Sequence, residues 1–147
     1  MDGIGTFSGI VLNGRAGDGY RVAFAIPESQ PLSSDPITLL VGAPYKILLK
    51  VPAAGAVRGA RFESQPILQI TDAGDNLTPA SDCITATIIG GAVLTGEVTV
   101  PGSGTFAYTS LGLSDTTNPG TYTIFYSNGC CVASGTLQRA SQSIDVP

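Results

Sequence analysis

The sequence contains no histidine, no tryptophan and a single methionine. Without an imidazole, His-based general-base catalysis, His-ligated metals and every Ser-His-Asp or Cys-His arrangement are excluded. Charge is scarce as well: 12% of the 147 residues, Lys+Arg 7 against Asp+Glu 11, net charge -4. That balance has the wrong sign for binding a phosphate backbone, so DNA and RNA are excluded as main partners. The most apolar stretch, residues 36–57, is interrupted by Pro44, Lys46, Lys50 and Pro52. It falls short of the roughly 20 uninterrupted apolar residues of a membrane-spanning helix, so no membrane span is expected. The first ten residues, MDGIGTFSGI, carry no basic segment followed by an apolar run. No signal peptide is visible, and the chain reads as intracellular or as a piece of a longer one.

What is present points to β structure. Hydrophobic residues make up 43% of the chain, enough to bury a core in one domain's length of sequence. Gly 19 and Pro 10 punctuate short runs rich in Val, Ile, Thr, Tyr and Phe, and no run of about 12 residues has a clean 3.6 period. The pattern predicts strands at Gly5–Leu12, Tyr20–Ile26, Ile37–Val41, Tyr45–Val51, Pro66–Thr71, Ile84–Ile89, Gly96–Val100, Gly104–Leu111 and Thr121–Ser127, with a last one within Ser134–Val146. Short strands separated by turn residues imply a sandwich. Alternation is clearest in Tyr20, Val22, Phe24, Ile26 and in Tyr122, Ile124, Tyr126, each expected to form a buried face. Phe125 falls on the opposite, polar face and is expected to be covered by a loop or a neighbour.

The chain also repeats itself. Gly5-Thr6-Phe7 recurs as Gly104-Thr105-Phe106 at an offset of 99 residues, and Gly19-Tyr20-Arg21-Val22-Ala23-Phe24 recurs in outline as Gly120-Thr121-Tyr122-Thr123-Ile124-Phe125. Residues 43–147 then form one whole unit, and residues 1–42 match only the final third of such a unit. Three strands in 42 residues cannot bury a two-sheet core. The N-terminal segment therefore needs a partner: strands upstream in a tandem array, or strands from a neighbouring copy.

Three stretches carry a family resemblance: Val41-Gly42-Ala43-Pro44-Tyr45-Lys46-Ile47; Gly55-Ala56-Val57-Arg58-Gly59; and Phe62 to Asn76, which contains Gln65-Pro66 and Asp72-Ala73-Gly74-Asp75-Asn76. With Ile84-Thr85-Ala86-Thr87-Ile88, Gly104-Thr105-Phe106 and Gly120-x-Tyr122, this order resembles the tandem immunoglobulin-like repeats of large extracellular and cell-surface proteins of bacteria and some algae. The resemblance covers the complete unit, with the N-terminal fragment as the tail of the preceding one. It implies an all-β, immunoglobulin-like β-sandwich of about seven strands, preceded by three strands of an adjacent repeat or of a swapped neighbour. Gln65-Pro66 suits a strand start, where a missing N–H is harmless, and the DAGDN run supplies turn formers. Gly120-x-Tyr122 matches a tyrosine corner, and Gly19-Tyr20 offers the same corner with one residue fewer. Ile124 stands where antibody domains carry a core cysteine, so their usual inter-sheet disulfide is absent.

In the sandwich that the resemblance implies, the strand starting near Cys83 runs antiparallel to and beside the strand ending near Ser127. Cys83 is therefore within reach of Cys130 or Cys131, closing a loop whose cross-link is worth roughly 4 kcal/mol. A vicinal Cys130–Cys131 bond and free thiols are the alternatives, and any disulfide places the protein outside the cytosol. Asn76-Leu77-Thr78 is an N-glycosylation sequon, and Asn128-Gly129-Cys130 is its rarer cysteine variant. Asp72, Asp75, Asn76 and Asp82 gather oxygens that could hold a hard cation such as calcium, although turn chemistry alone explains the DAGDN run. The carboxylates lie in loop-like or strand-edge contexts, which gives no general acid/base pair. The expected function is that of a structural unit of an extracellular filament or surface stalk, with no cofactor and no catalytic residue. Its partners would be copies of itself or neighbouring immunoglobulin-like repeats, with covalent glycans where the sequons are used. The alternative is an adhesin or carbohydrate-binding module that stacks sugars on exposed Tyr108 or Tyr126.

Overall fold

The computed structural model describes residues 4–130 and 135–147, and among them it is all-β with no helix. Strands β1 (Gly17–Tyr20), β2 (Ala23–Phe24), β3 (Leu32–Ser33) and β4 (Ile37–Leu39) form one interrupted antiparallel hairpin, in which Tyr20 faces Ile37 and Phe24 faces Leu32. At the interruption Ser34 holds Val22 from both sides: the Val22 N–H donates to Ser34 Oγ at 3.0 Å, and the Val22 carbonyl accepts the Ser34 N–H at 2.9 Å.

The rest of the chain supplies β5 (Lys46–Val51), β6 (Ile67–Thr71), β7 (Ser81–Ile89), β8 (Leu94–Thr95), β9 (Thr99–Ser103), β10 (Thr105–Ala107), β11 (Gly112–Leu113), β12 (Gly120–Asn128) and β13 (Ala140–Val146). Seven of these pair in the order β13-β12-β7-β9-β10-β6-β5. Gly104 links β9 to β10 with a left-handed backbone at φ 69. A Cβ there would press on the Thr78 carbonyl, so the link requires glycine. Both ends of the ladder then meet: Ile47 N–H donates to the Gln138 carbonyl at 2.8 Å, and Gln138 N–H donates to the Tyr45 carbonyl at 3.1 Å. The two arms face each other across one core, the arrangement of a β-sandwich.

That core draws Ile84, Ala86, Tyr122, Ile124, Tyr126, Ile144 and Val146 from one arm and Ile47, Leu68, Ile70 and Phe106 from the other. Each fully buried aliphatic or aromatic side chain contributes about 1.5–3 kcal/mol relative to exposure. Gln65 fastens the loops beneath them, donating from Nε2 to the Phe62 and Leu111 carbonyls and accepting the Leu111 N–H.

The strand expectations need correction at several points. Residues 5–12 form no strand. Their repeat counterpart β10 is held by β6 and β9, whereas no strand pairs with residues 5–12 among the described residues. The predicted run at Gly96–Val100 is displaced to β9, with β8 before it, and the one at Gly104–Leu111 ends at Ala107. The face formed by Tyr20, Val22, Phe24 and Ile26 is not buried: Tyr20 and Ile26 are exposed, and Val22 and Phe24 are half-buried. Phe125 is half-buried beneath the Arg139 guanidinium, 4.3 Å from the ring centroid. Ser134, in the last predicted strand region, lies outside the described residues.

Candidate functional site

The N-terminal hairpin repeats the end of the sandwich without its cover. Tyr122 O–H donates to the Asn118 carbonyl at 2.8 Å, and Tyr20 O–H donates to the Arg15 carbonyl at the same distance. Both close a corner ahead of an antiparallel hairpin. A Thr–Asp hydrogen bond crosses each hairpin, Thr121 to Asp145 at 2.6 Å and Thr38 to Asp18 at 2.7 Å. Burial separates the two. Tyr122 is 8% exposed and Phe106 0%, whereas Tyr20 is 41% and Phe7 65% exposed. Ten of the fifteen large hydrophobic side chains exposed among the described residues lie between Ile4 and Val41. Phe7 and Phe24 stack at 5.1 Å beside an open cleft of about 470 Å³ that Ile26 and Leu32 also line.

The hairpin meets the sandwich at the turn that follows β6. Asp72 lies buried at the strand's end, and its carboxylate accepts the Gly74 and Asn76 N–H groups, both at 2.9 Å, together with the Asn76 side-chain amide. It also accepts the N–H of Gly42, in the connector after β4, at 2.7 Å. The Asn76 side chain, then the Gly42 N–H, hold the Asp72 carboxyl down to about 2. Asn76 reaches onward: its Nδ2 donates to the Gly14 carbonyl at 2.9 Å, and its Oδ1 accepts the Ala16 N–H at 2.7 Å. Asp75, at the tip in a left-handed conformation, pairs with Lys46 at 2.9 Å.

A second polar cluster closes the end of β7 and β12. Their antiparallel register sets Asn128 opposite Ile84, which brings the chain just past β12 beside Cys83. Cys83 is bonded to Cys130 with Cα atoms 5.3 Å apart; Cys131 lies outside the described residues. Asp82 accepts the Cys83 N–H at 2.7 Å and the Asn128 amide at 3.2 Å, and Asn128 also holds the Gly135 carbonyl and the Leu137 N–H.

Asp72, Asp75, Asn76 and Asp82, the candidate cation ligands, all take part in hydrogen bonds or an ion pair within the protein. Asp72 is occupied by N–H donors, Asp75 by Lys46 and Asp82 by the β7 start, and no group of three or more acidic or cysteine side chains suited to a metal occurs among the described residues. The Nδ2 of each sequon asparagine, the atom a glycan would occupy, carries structural hydrogen bonds, and Thr78 of the first sequon is buried. Tyr108 and Tyr126 are core residues rather than exposed stacking platforms. Tyr108 O–H donates to the Ile84 carbonyl at 2.7 Å and Tyr126 O–H to Gln142 Oε1 at 3.1 Å. Burial pushes the pKa of both phenols well above the usual range.

The partners of the DAGDN turn, Gly14, Ala16 and Gly42, were missed in the sequence. Backbone groups carry the contacts, and a backbone group leaves no side-chain signal. Gln142, which bridges the Ala53 N–H and carbonyl to β13 at 2.9 Å, was missed for want of any motif. No protein-family model matches this chain, and no curated protein matches it in sequence. None of the described residues forms a helix long and apolar enough to cross a membrane.

Proposed function

We propose that this chain is a structural protein, a serial immunoglobulin-like unit of an extracellular filament or surface stalk. Units join head to tail by covalent tandem linkage or by strand complementation, residues 43–147 being one complete unit and residues 1–42 the end of another. The observation that carries the reading is the N-terminal hairpin, which has the tyrosine corner and cross-strand Thr–Asp bond of the β12–β13 hairpin but leaves its apolar face uncovered. A hairpin of that kind is stable only as part of a larger core, and a like unit has the strands to cover it. The ladder supports the fold assignment: β5-β6-β10-β9 correspond to strands A-B-E-D and β7-β12-β13 to C-F-G of a constant-type immunoglobulin domain. The pairing of β9 with β7 departs from that scheme by joining the two sheets along one side. The Cys83–Cys130 bond favours an oxidising, extracellular setting. On this reading the chain's work is mechanical and assembly-related, and the glycan-binding alternative loses the two tyrosines on which it stood.

Sedimentation velocity and hydrophobic-dye binding on the full chain, beside a Phe7→Asp/Phe24→Asp variant, test the reading. Concentration-dependent association of the parent alone supports completion by a separate copy. Dye binding by a monomeric parent, abolished in the variant, supports a face kept for a covalently linked neighbour. A monomeric parent that binds no dye would overturn the proposal.

A further inference from the structure

We infer that the Asp72–Asn76 turn is an orientation lock, which fixes one unit rigidly upon the next instead of letting the two swing about the connector. The inference rests on the serial-unit reading for its meaning and on the contacts themselves for its geometry. Among the described residues no ladder hydrogen bond joins β1–β4 to the sandwich, so orientation depends on what else holds the two together. Residues 40–45 alone would leave them free to swing.

Three polar contacts remove that freedom, and they grip the hairpin on both sides. Asn76 takes the loop ahead of β1 through the Gly14 carbonyl and the Ala16 N–H, a paired donor and acceptor that reads backbone direction. Asp72 takes the connector beyond β4 through the Gly42 N–H. The turn is rigid before it grips, because Asp72 also accepts the Gly74 and Asn76 N–H groups and the Asn76 amide. Fixing both side chains in advance lowers the entropy lost on contact. Gly74 completes the fit. Its backbone lies outside the left-handed region, so the conformation itself does not demand glycine, yet a Cβ there would collide with the Gly14 carbonyl. The glycine is needed for close approach of the preceding unit.

The partner that this turn fits is therefore the loop ahead of a tyrosine corner in a like unit. In the complete unit the corresponding loop is residues 116–119, and it carries Pro119 near the position of Ala16. Proline has no N–H to offer an asparagine carbonyl. A like unit docking there would lose the amide half of the grip.

The test is ¹⁵N relaxation on the full, oxidised chain. In the parent and in Asp75→Asn, which removes the Lys46 ion pair but leaves the grip, amides of β1–β4 and of β5–β13 should share one rotational correlation time. In Gly74→Ala and Asn76→Ala the hairpin amides should separate to a shorter time, while unchanged shifts in β6, β7 and β12 certify the sandwich. A common correlation time that persists in Gly74→Ala and Asn76→Ala would overturn the lock. Independent tumbling in the parent would also overturn it, and would leave the serial-unit reading to stand or fall on sedimentation and dye binding.

Discussion

Asp72 shows how a turn-forming residue becomes the organiser of a joint. In the sequence it opens a run of turn formers; in the structure it collects backbone N–H donors from its own turn and from Gly42. Hydrogen bonds that favour the charged form lower a carboxyl's pKa, here from 3.8 to about 2, led by the Asn76 side chain. A group whose folded pKa is depressed stabilises the fold above its unfolded value, and that contribution disappears as pH falls through the folded value. The melting temperature should therefore hold down to about pH 4 and decline between pH 4 and 2. Asp72→Asn should start lower and lose less over the same interval. Calorimetry at stepped pH checks this, and parallel declines in parent and variant would show that other carboxylates govern acid unfolding. Tyr20 and Tyr122 were legible as corners because a Gly–Tyr signature is local. Tyr126 was legible as a core residue in the alternation of β12, and the burial of Tyr108 beside it removes both from the sugar-stacking alternative.

At the scale of elements, pairing partners decided what became a strand. Gly5-Thr6-Phe7 and Gly104-Thr105-Phe106 have the same local preference, yet only the second is a strand, because β6 and β9 flank it. Sequence alternation locates a segment that could pair, and a ladder needs a second edge to satisfy its N–H and C=O groups. The β7–β12 pair is the reverse case: its register delivers the end of one strand to the start of the other, and the Cys83–Cys130 bond cross-links them over a sequence separation of 47. Confining that loop in the unfolded chain should be worth about 4 kcal/mol. Urea unfolding of the oxidised chain against the reduced and alkylated chain should show a loss of that order. A negligible difference would mean that the reduced chain remains equally constrained before folding.

Across the whole molecule, stability is unevenly distributed. Every buried hydrophobic residue of the core cluster lies between Ile47 and Val146, and the apolar residues of the hairpin before it are at most half-buried, at Val22, Phe24, Ile37 and Leu39. Amides open with free energies that follow the contacts they must break. Hydrogen exchange should therefore be slowest in β6, β7 and β12 and much faster throughout β1–β4. Protection of β1–β4 equal to that of β12 would show that the hairpin is covered in solution. By itself, the sequence determined the β class, the turn positions, the internal repeat and the absence of histidine. All of these follow from local preference and composition, and none depends on what lies opposite. The tertiary structure alone decided that the DAGDN turn grips Gly14, Ala16 and Gly42, that Cys83 bonds Cys130, and that Phe7 stays bare while Phe106 is buried. Each of those outcomes is a meeting between distant segments, and the free energy of a contact belongs to the pair of surfaces rather than to either stretch of chain.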